Sequence, residues 1–504
     1  MSDIASASLL RRRLSLPDVI AQSVTVIAPG MSGAFLTYLA ATKAGGATPL
    51  AFVLAMLGAL AVGSVVSEFG KTMPSAGSLY TYTTAGLSKT AGFAVGWLYS
   101  IAFIILAAAV LAGFGFFTSL LIQSMTNSTT FVPWWIFFII GLAFVALMSM
   151  FNVRVSTRSQ LLFTAVSVAV MVICALWVIG KGSPAGTAQA GKSIDLGAFW
   201  PSAAGVKWSG IIFGFAFGML SFTGFEAGAV LAEETENPKH NIPRAVIGSV
   251  IVGGIFYILI TYATSIGFGV REAAEKWPGS AAGLAAVAST KTLSNLVLFA
   301  AAVSSLFCGL GVHTAASRFL FAMGRERVLP PTLGKTHATW KTPWNAIILS
   351  LVLYAVLIWG LLLLTGSGTE IALGGGAKDG VANLPTSVRG GLYTFGYWAT
   401  LATPAVMLVY LLLGCAGIRK GRADHNQRLV IKGALAAITG LVAVYGSVYY
   451  SFVEAAPGAG ILTIVKAIPW VTLVLLAIGL AIAFYVKSNM KTAWAEMGTV
   501  FEEG

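Results

Sequence analysis

Two stretches decide how this chain is read: Val26-Ile27-Ala28-Pro29-Gly30-Met31-Ser32-Gly33-Ala34-Phe35 and Met219-Leu220-Ser221-Phe222-Thr223-Gly224-Phe225-Glu226. Each sits inside an apolar run long enough to cross a bilayer, which takes about 20 helical residues, and each interrupts its helix. In the first, proline removes a backbone donor and clashes with the preceding turn, and two glycines loosen the turn after it. The second sets Ser, Thr, Gly and a carboxylic acid at mid-membrane depth. Unpaired N–H and C=O groups are very costly in hydrocarbon, so a broken helix persists there only against protein or a water-filled cavity. Two breaks at corresponding places in the two halves of a chain point to a transporter-type binding site at the bilayer midplane. The free N–H groups at a half-helix start suit a carboxylate, and the exposed carbonyls at the other half's end suit an ammonium or a cation.

The rest of the chain agrees with that setting. Of 504 residues, 57% are hydrophobic and only 10% charged, and the mean hydropathy is +0.85. A soluble chain carries about a quarter charged residues, so a water-soluble enzyme is excluded. Segments of about 10 alternating residues, as in an outer-membrane barrel, are missing. Hydropathy predicts an all-α polytopic membrane protein with twelve spans, at about 17–43, 48–69, 91–122, 133–151, 160–180, 208–232, 244–269, 292–323, 344–365, 392–417, 432–453 and 468–488. The broken spans are the first and sixth. Spans 1–5 (17–180) and 6–10 (208–417) therefore form an expected 5+5 inverted repeat, followed by two extra spans (432–488). A tail at 1–16, loops at 181–207 and 418–431 and a tail at 489–504 complete the division.

Twelve spans put both termini on one side. That side carries about twice as many Lys and Arg residues as the other, Arg11-Arg12-Arg13 among them, which predicts cytoplasmic termini and a multi-pass protein of the plasma (inner) membrane. The same distribution accounts for the net charge of +13 without nucleic acid. Cys174, Cys308 and Cys415 are far apart in apolar runs and imply neither a disulfide nor a metal framework, and no cofactor is expected. An intramembrane enzyme would want paired in-span aspartates, a Ser-His dyad or HExxH. His313 is the sole histidine within a span, read as packing or a proton relay.

These residues resemble the amino acid–polyamine–organocation superfamily of transporters. The resemblance is carried by Phe222-Thr223-Gly224-Phe225-Glu226-Ala227, Glu233-Glu234-Thr235-Glu236-Asn237-Pro238 and Ile242-Pro243-Arg244-Ala245. Pro74-Ser75-Ala76-Gly77-Ser78-Leu79-Tyr80-Thr81-Tyr82, Asn152-Val153-Arg154, and Ser317-Arg318 through Leu329-Pro330 also match. It implies a leucine-transporter-like fold and secondary transport of amino acids by alternating access. A polyamine or amine transporter, or an amino acid exchanger, of the same fold is the alternative. One departure is Met31, which stands where the family usually has a glycine.

The candidate substrate-binding residues are Ala28, Gly30, Met31, Ser32 and Gly33 in the first break and Phe222, Thr223, Gly224 and Phe225 in the second. Tyr99 joins them by the resemblance, which places it on the substrate face of span three. Glu226 is the one acid placed well inside a span, and such acids are functional candidates by default; it is the candidate proton-coupling residue. The expected partners are a small amino acid or related amine, a proton or sodium as coupling ion, and membrane lipid. Ser304 and Ser305 are candidate sodium ligands in the second case. Gly210, Gly214 and Gly218 share one helix face and predict close packing against a neighbour such as span one. Glu233, Glu234 and Glu236, near Lys239 and Arg244, read as a solvated loop; the resemblance offers closure of an inner gate as the alternative.

Overall fold

The computed structural model describes residues 14–127, 132–150, 153–181, 194–277, 283–288, 290–365, 386–449 and 462–498. The basic triplet at 11–13, residues 182–193 and 366–385, and the last six residues lie outside them. The helices are α1 (Leu16–Ile27), α2 (Pro29–Ala34), α3 (Leu36–Ala44), α4 (Thr48–Thr72), α5 (Leu79–Gly86) and α6 (Lys89–Thr126). Next come α7 (Trp134–Met150), α8 (Val153–Lys181), α9 (Trp208–Phe222), α10 (Pro238–Phe268), α11 (Ala273–Lys276) and α12 (Gly283–Val287). The chain continues through α13 (Lys291–Arg325), α14 (Trp344–Thr365), α15 (Thr386–Ala423), α16 (Gln427–Tyr449), α17 (Leu462–Asn489) and α18 (Lys491–Glu496). Among the described residues, nine helices are long and apolar enough to cross a membrane, with two shorter apolar ones beside them. The expected first span is divided among α1, α2 and α3; each of the other expected spans contains one principal helix.

Both breaks have a local cause. Ala28 precedes Pro29, whose ring disfavours the right-handed helical region for the residue before it. Ala28 accordingly turns left-handed, at φ 52° and ψ 60°, and ends α1. Pro29, lacking an N–H, then opens α2 at a position where that donor would be free anyway. In the sixth span α9 stops at Phe222, Gly224 takes φ 107°, and the chain resumes as a ten-residue 3₁₀ segment, Phe225–Glu234. Runs that long are uncommon for this tighter helix and mark a hinge or a strained sequence.

Small residues then let the broken spans approach the bundle. A Cβ on Gly210 would stand 2.3 Å from the Lys43 carbonyl oxygen, and Cβ atoms on Gly214 and Gly218 would meet Ala51 and Ala55. The glycine stripe of α9 therefore packs on α3 and α4. The faces of α16 and α17 turned outward carry Leu435, Ile438, Leu441, Trp470, Leu473 and Phe484 in exposed positions, the surface a membrane helix offers to lipid.

The two ends of the described chain meet one face of the bundle. Leu14 pairs with Thr235 as an isolated β-bridge. At the other end Met497 is buried beside Tyr80, Phe93 and Met323, and the Lys89 ammonium donates to the Trp494 carbonyl at 2.8 Å. Gly498 N–H donates to Glu326 Oε2 at 3.1 Å, and the Tyr80 hydroxyl donates to the same oxygen. Glu326 lies just past the end of α13. Burial pushes its carboxyl up to about 6, against the pull of the Tyr80 and Gly498 hydrogen bonds and the Arg325 charge, while Glu233 adds to the rise.

An acid whose pKa is raised on folding destabilises the folded state once it ionises. Stability should therefore fall as pH rises from about 4.5 to about 6. Glu326→Gln removes this step. The variant should melt about 2 °C higher than the parent at pH 7.5 and match it at pH 4.5, read by thermal unfolding in detergent across that range.

Candidate substrate-binding site

The site begins where the two breaks touch. Gly224 lies against Val26 so closely that a Cβ would stand 2.1 Å from Val26 Cγ1. Only glycine supplies both the positive φ and the missing side chain at this crossing. Tyr257, from the middle of α10, stands between the two ends. Its hydroxyl is 2.7 Å from the Ile27 carbonyl and 3.0 Å from the Ser221 carbonyl, sharing its hydrogen between them. The Ile27 carbonyl also accepts from Ser32 Oγ at 3.0 Å. Carbonyls orphaned by both breaks are thus satisfied by side chains rather than by lipid-facing water, as the hydrocarbon requires.

Beside this crossing is a cavity lined by Val26, Ile27, Met31, Ser32 and Leu36 of the first span and Leu220 and Thr223 of the sixth. Leu106 and Val110 of α6, Cys308 and Val312 of α13, and Phe395 and Ala399 of α15 complete the wall. Phe395 packs edge-on against Phe35, ring centroids 4.5 Å apart. The Cys308 thiol points at the Val26 carbonyl, 3.4 Å away. The amides of Gly30 and Met31, in the first turn of α2, have no carbonyl one turn back within their helix, whereas Ser32 N–H already donates to Ala28 at 2.8 Å.

Of the residues expected to hold substrate, Met31, Ser32 and Thr223 line this cavity. Ala28 forms the turn itself. Gly30 backs onto Ser304 and the Ala300 carbonyl of α13, and Gly33 onto Phe256 and Met171. Gly224 forms the crossing, Phe222 packs edge-on against Tyr257, and Phe225 lies against Tyr410 of α15. Tyr99 is away from the cavity wall, its ring against Phe103 and Phe319 at 4.3 and 4.9 Å. The sequence offered no sign of Tyr257 or of the aliphatic wall, because an apolar residue in a span reads the same whether it faces cavity, neighbour or lipid.

Glu226 is fully buried one step beyond the crossing. Its Oε1 accepts from Tyr410 OH at 2.8 Å and its Oε2 from Gly224 N–H at 3.2 Å. The carboxyl therefore fastens the turn at the sixth-span break to α15. His313 sits elsewhere, with Nδ1 2.9 Å from Tyr354 OH of α14. Ser305 donates to Ala301 of its own helix at 2.8 Å.

The end of the sixth span is not a solvated loop. Glu233 and Glu234 are buried. Arg318 places Nε and Nη2 3.0 and 2.9 Å from Glu234 Oε1. Arg325 grips Glu233 with two parallel bonds of 2.7 and 2.8 Å. Ala76 N–H donates to Glu233 at 3.0 Å, and Leu14 N–H to the Glu234 carbonyl at 3.0 Å. The cations that pair with these acids come from α13, eighty or more positions along the chain, rather than from Lys239 and Arg244 nearby.

Comparison with known proteins agrees with this geometry. The amino acid permease family model matches residues 24–416. The chain is 28% identical to the low-affinity putrescine importer PlaP of Escherichia coli K12, covering 68% of this chain and 73% of that one. It is 26% identical to the branched-chain amino acid permease BcaP of Bacillus subtilis, over 67% and 72% of the two chains. A crystal structure of the Eremococcus coleocola manganese transporter, in complex with an aromatic bis-isothiourea substituted compound, shares the fold at a TM-score of 0.52. That likeness covers 98% of this chain and 99% of that one at 12% identity.

Tyr257→Phe tests the staple between the breaks. It leaves the buried Ser221 carbonyl without this donor, a loss of about 1–3 kcal/mol, while the Ile27 carbonyl keeps Ser32. The variant should melt below the parent, while Tyr485→Phe, at an exposed site on α17, should melt with it. Equal melting of all three would show that Tyr257 holds nothing.

Proposed function

The chain belongs to the amino acid permease family, and from that premise we propose that it is a secondary transporter carrying amino acids across the plasma membrane by alternating access. The observation that carries this reading is the cavity at the crossing of the two helix breaks. The amides of Gly30 and Met31 offer donors to a substrate carboxylate, aided by the positive end of the half-helix dipole. The Val26 carbonyl near the end of α1, which faces the Cys308 thiol, a weak donor, offers an acceptor to its ammonium group. Met31 does not obstruct this arrangement, because a methionine amide donates as a glycine amide does and its flexible side chain forms part of the wall.

In this reading both termini are cytoplasmic, as the excess of Lys and Arg on their side favours, and the outward faces of α16 and α17 meet lipid. The Arg318–Glu234 and Arg325–Glu233 pairs then form the inner closure. They part when substrate leaves toward the cytoplasm, and they re-form for the return. Phe35 and Phe395 close the opposite side. A bundle containing the first and sixth spans rocks about the site between these two closures.

Glu226 couples a proton to this cycle. Ionised, it accepts from both Tyr410 and Gly224. Protonated on Oε2, it can no longer accept the Gly224 N–H on that oxygen's protonated side, and the turn at the break is released from α15. Proton occupancy is thereby converted into a change in how the sixth span is held. Of the alternatives, a polyamine or amine importer is favoured by the likeness to a putrescine importer; an amino acid exchanger of the same fold is the other.

Uptake into proteoliposomes tests both parts. Parent protein should accumulate radiolabelled amino acid under an imposed pH gradient, acid outside, and Glu226→Gln should lose at least about tenfold of that acceleration. Acceleration unchanged in the variant removes Glu226 from coupling. Acceleration by a sodium gradient instead of a pH gradient assigns the coupling to sodium.

A further inference from the structure

We infer that the substrate's side chain is uncharged and aliphatic, held by a subsite of Leu106, Val110, Val312 and Ala399 together with Leu220, the residue of this set that adjoins the second break. This inference rests on the reading of the cavity as the substrate site, and it goes further by naming which amino acids fit.

The chemistry of the wall carries it. The residues that line the cavity include neither a carboxylate nor an ammonium or guanidinium. The two hydroxyls on the wall are already committed to backbone carbonyls. Ser32 Oγ donates to Ile27, and Thr223 Oγ1 donates to Met219 at 3.3 Å. Their hydrogens are occupied, so a polar side chain would find acceptor lone pairs alone. The nearest charged groups along the chain are engaged on other surfaces. Glu226 has both oxygens bonded away from the cavity, to Tyr410 and Gly224. Arg318 is held by Glu234. His313, next to Val312 on α13, turns to Tyr354.

A charged side chain entering this wall would lose its hydration without gaining a partner, which is strongly unfavourable. An aliphatic one loses nothing and gains burial, with each added methylene worth about fourfold in affinity. The wall is also shared among α6, α9, α13 and α15, so several helices close upon the side chain while the breaks hold the backbone. Ala399 is the small residue of this set, fully buried. It sets how much side chain is admitted.

A ligand that binds the folded protein raises its melting temperature, so protection against thermal unfolding in detergent tests the subsite. Leucine, isoleucine and valine should protect at the lowest concentrations, alanine at roughly tenfold higher, and glutamate, lysine and putrescine should not protect. Ala399→Leu should weaken protection by leucine about tenfold or more while leaving alanine within about twofold.

If glutamate, lysine or putrescine protects as well as leucine, the aliphatic subsite is wrong while the cavity remains the substrate site. If Ala399→Leu weakens leucine and alanine alike, Ala399 does not border the side chain and the inference falls. If Ala399→Leu and Val312→Ala both leave protection by every ligand unchanged, although the parent is protected, the site reading itself fails. Should the Ala399→Leu variant not fold, Val312→Ala replaces it, with the reverse expectation of stronger protection by the larger side chains.

Discussion

In hydrocarbon every backbone N–H and C=O needs a partner, and this constraint shapes the centre of the molecule. Breaking one spanning helix leaves donors and acceptors stranded; breaking two at the same depth lets one set of side chains serve both. Tyr257 does this with a single hydroxyl placed between the Ile27 and Ser221 carbonyls. Its ring is fixed in turn by Phe52 and Phe222, so the polar contact depends on apolar packing. Gly224 then brings the second break onto Val26. The amides of Gly30 and Met31 remain unpaired within their helix, as at any helix start.

The same economy operates at the face that carries the chain ends, by other chemistry. There the 3₁₀ segment after Gly224 ends in two adjacent glutamates, each matched to an arginine of α13. Burying an isolated charge is very costly, and burying a bidentate pair much less so. Such pairs contribute little net stability compared with apolar packing, but they strongly favour one geometry. Breaking either pair exposes charges that water can solvate.

How much of this was legible depends on how far each residue's neighbours in sequence reveal its surroundings in space. The breaks were legible because proline and glycine act locally, on their own backbone. Glu226 stood out because an acid at mid-span is costly to bury, and it is indeed fully buried beside the second break. The partners were not legible. Tyr410 and Tyr257 are tyrosines in apolar spans, and nothing within several turns of either distinguishes a bonded hydroxyl from one at an interface. The cavity wall was illegible for the same reason: Leu106 faces the site, whereas Leu57 is well exposed on the surface of the bundle, and both are leucines in apolar runs. Glu233 and Glu234 were misread as solvated because their natural partners in sequence, Lys239 and Arg244, are not their partners in space. Tyr99 shows the converse, since alignment with a substrate-facing position did not bring its ring to the cavity.

The placement of Glu226 gives the fold a property that neither break has alone. A carboxyl inside the cavity would compete with substrate for the same donors and would change affinity directly. Glu226 instead sits behind the wall, with one oxygen on the turn at the break and the other on Tyr410 of α15, the helix that also supplies Phe395 and Ala399 to the cavity. Any change at that carboxyl reaches the site through two walls at once, the turn after Thr223 and the register of α15. On the proposed reading, substrate pressing on those walls alters, by reciprocity, the carboxyl's hold on its proton. An acid one layer removed from the ligand is thus better placed to link two occupancies than one in contact with it, because it can respond to the shape of the site without requiring any particular charge on the molecule that fills it.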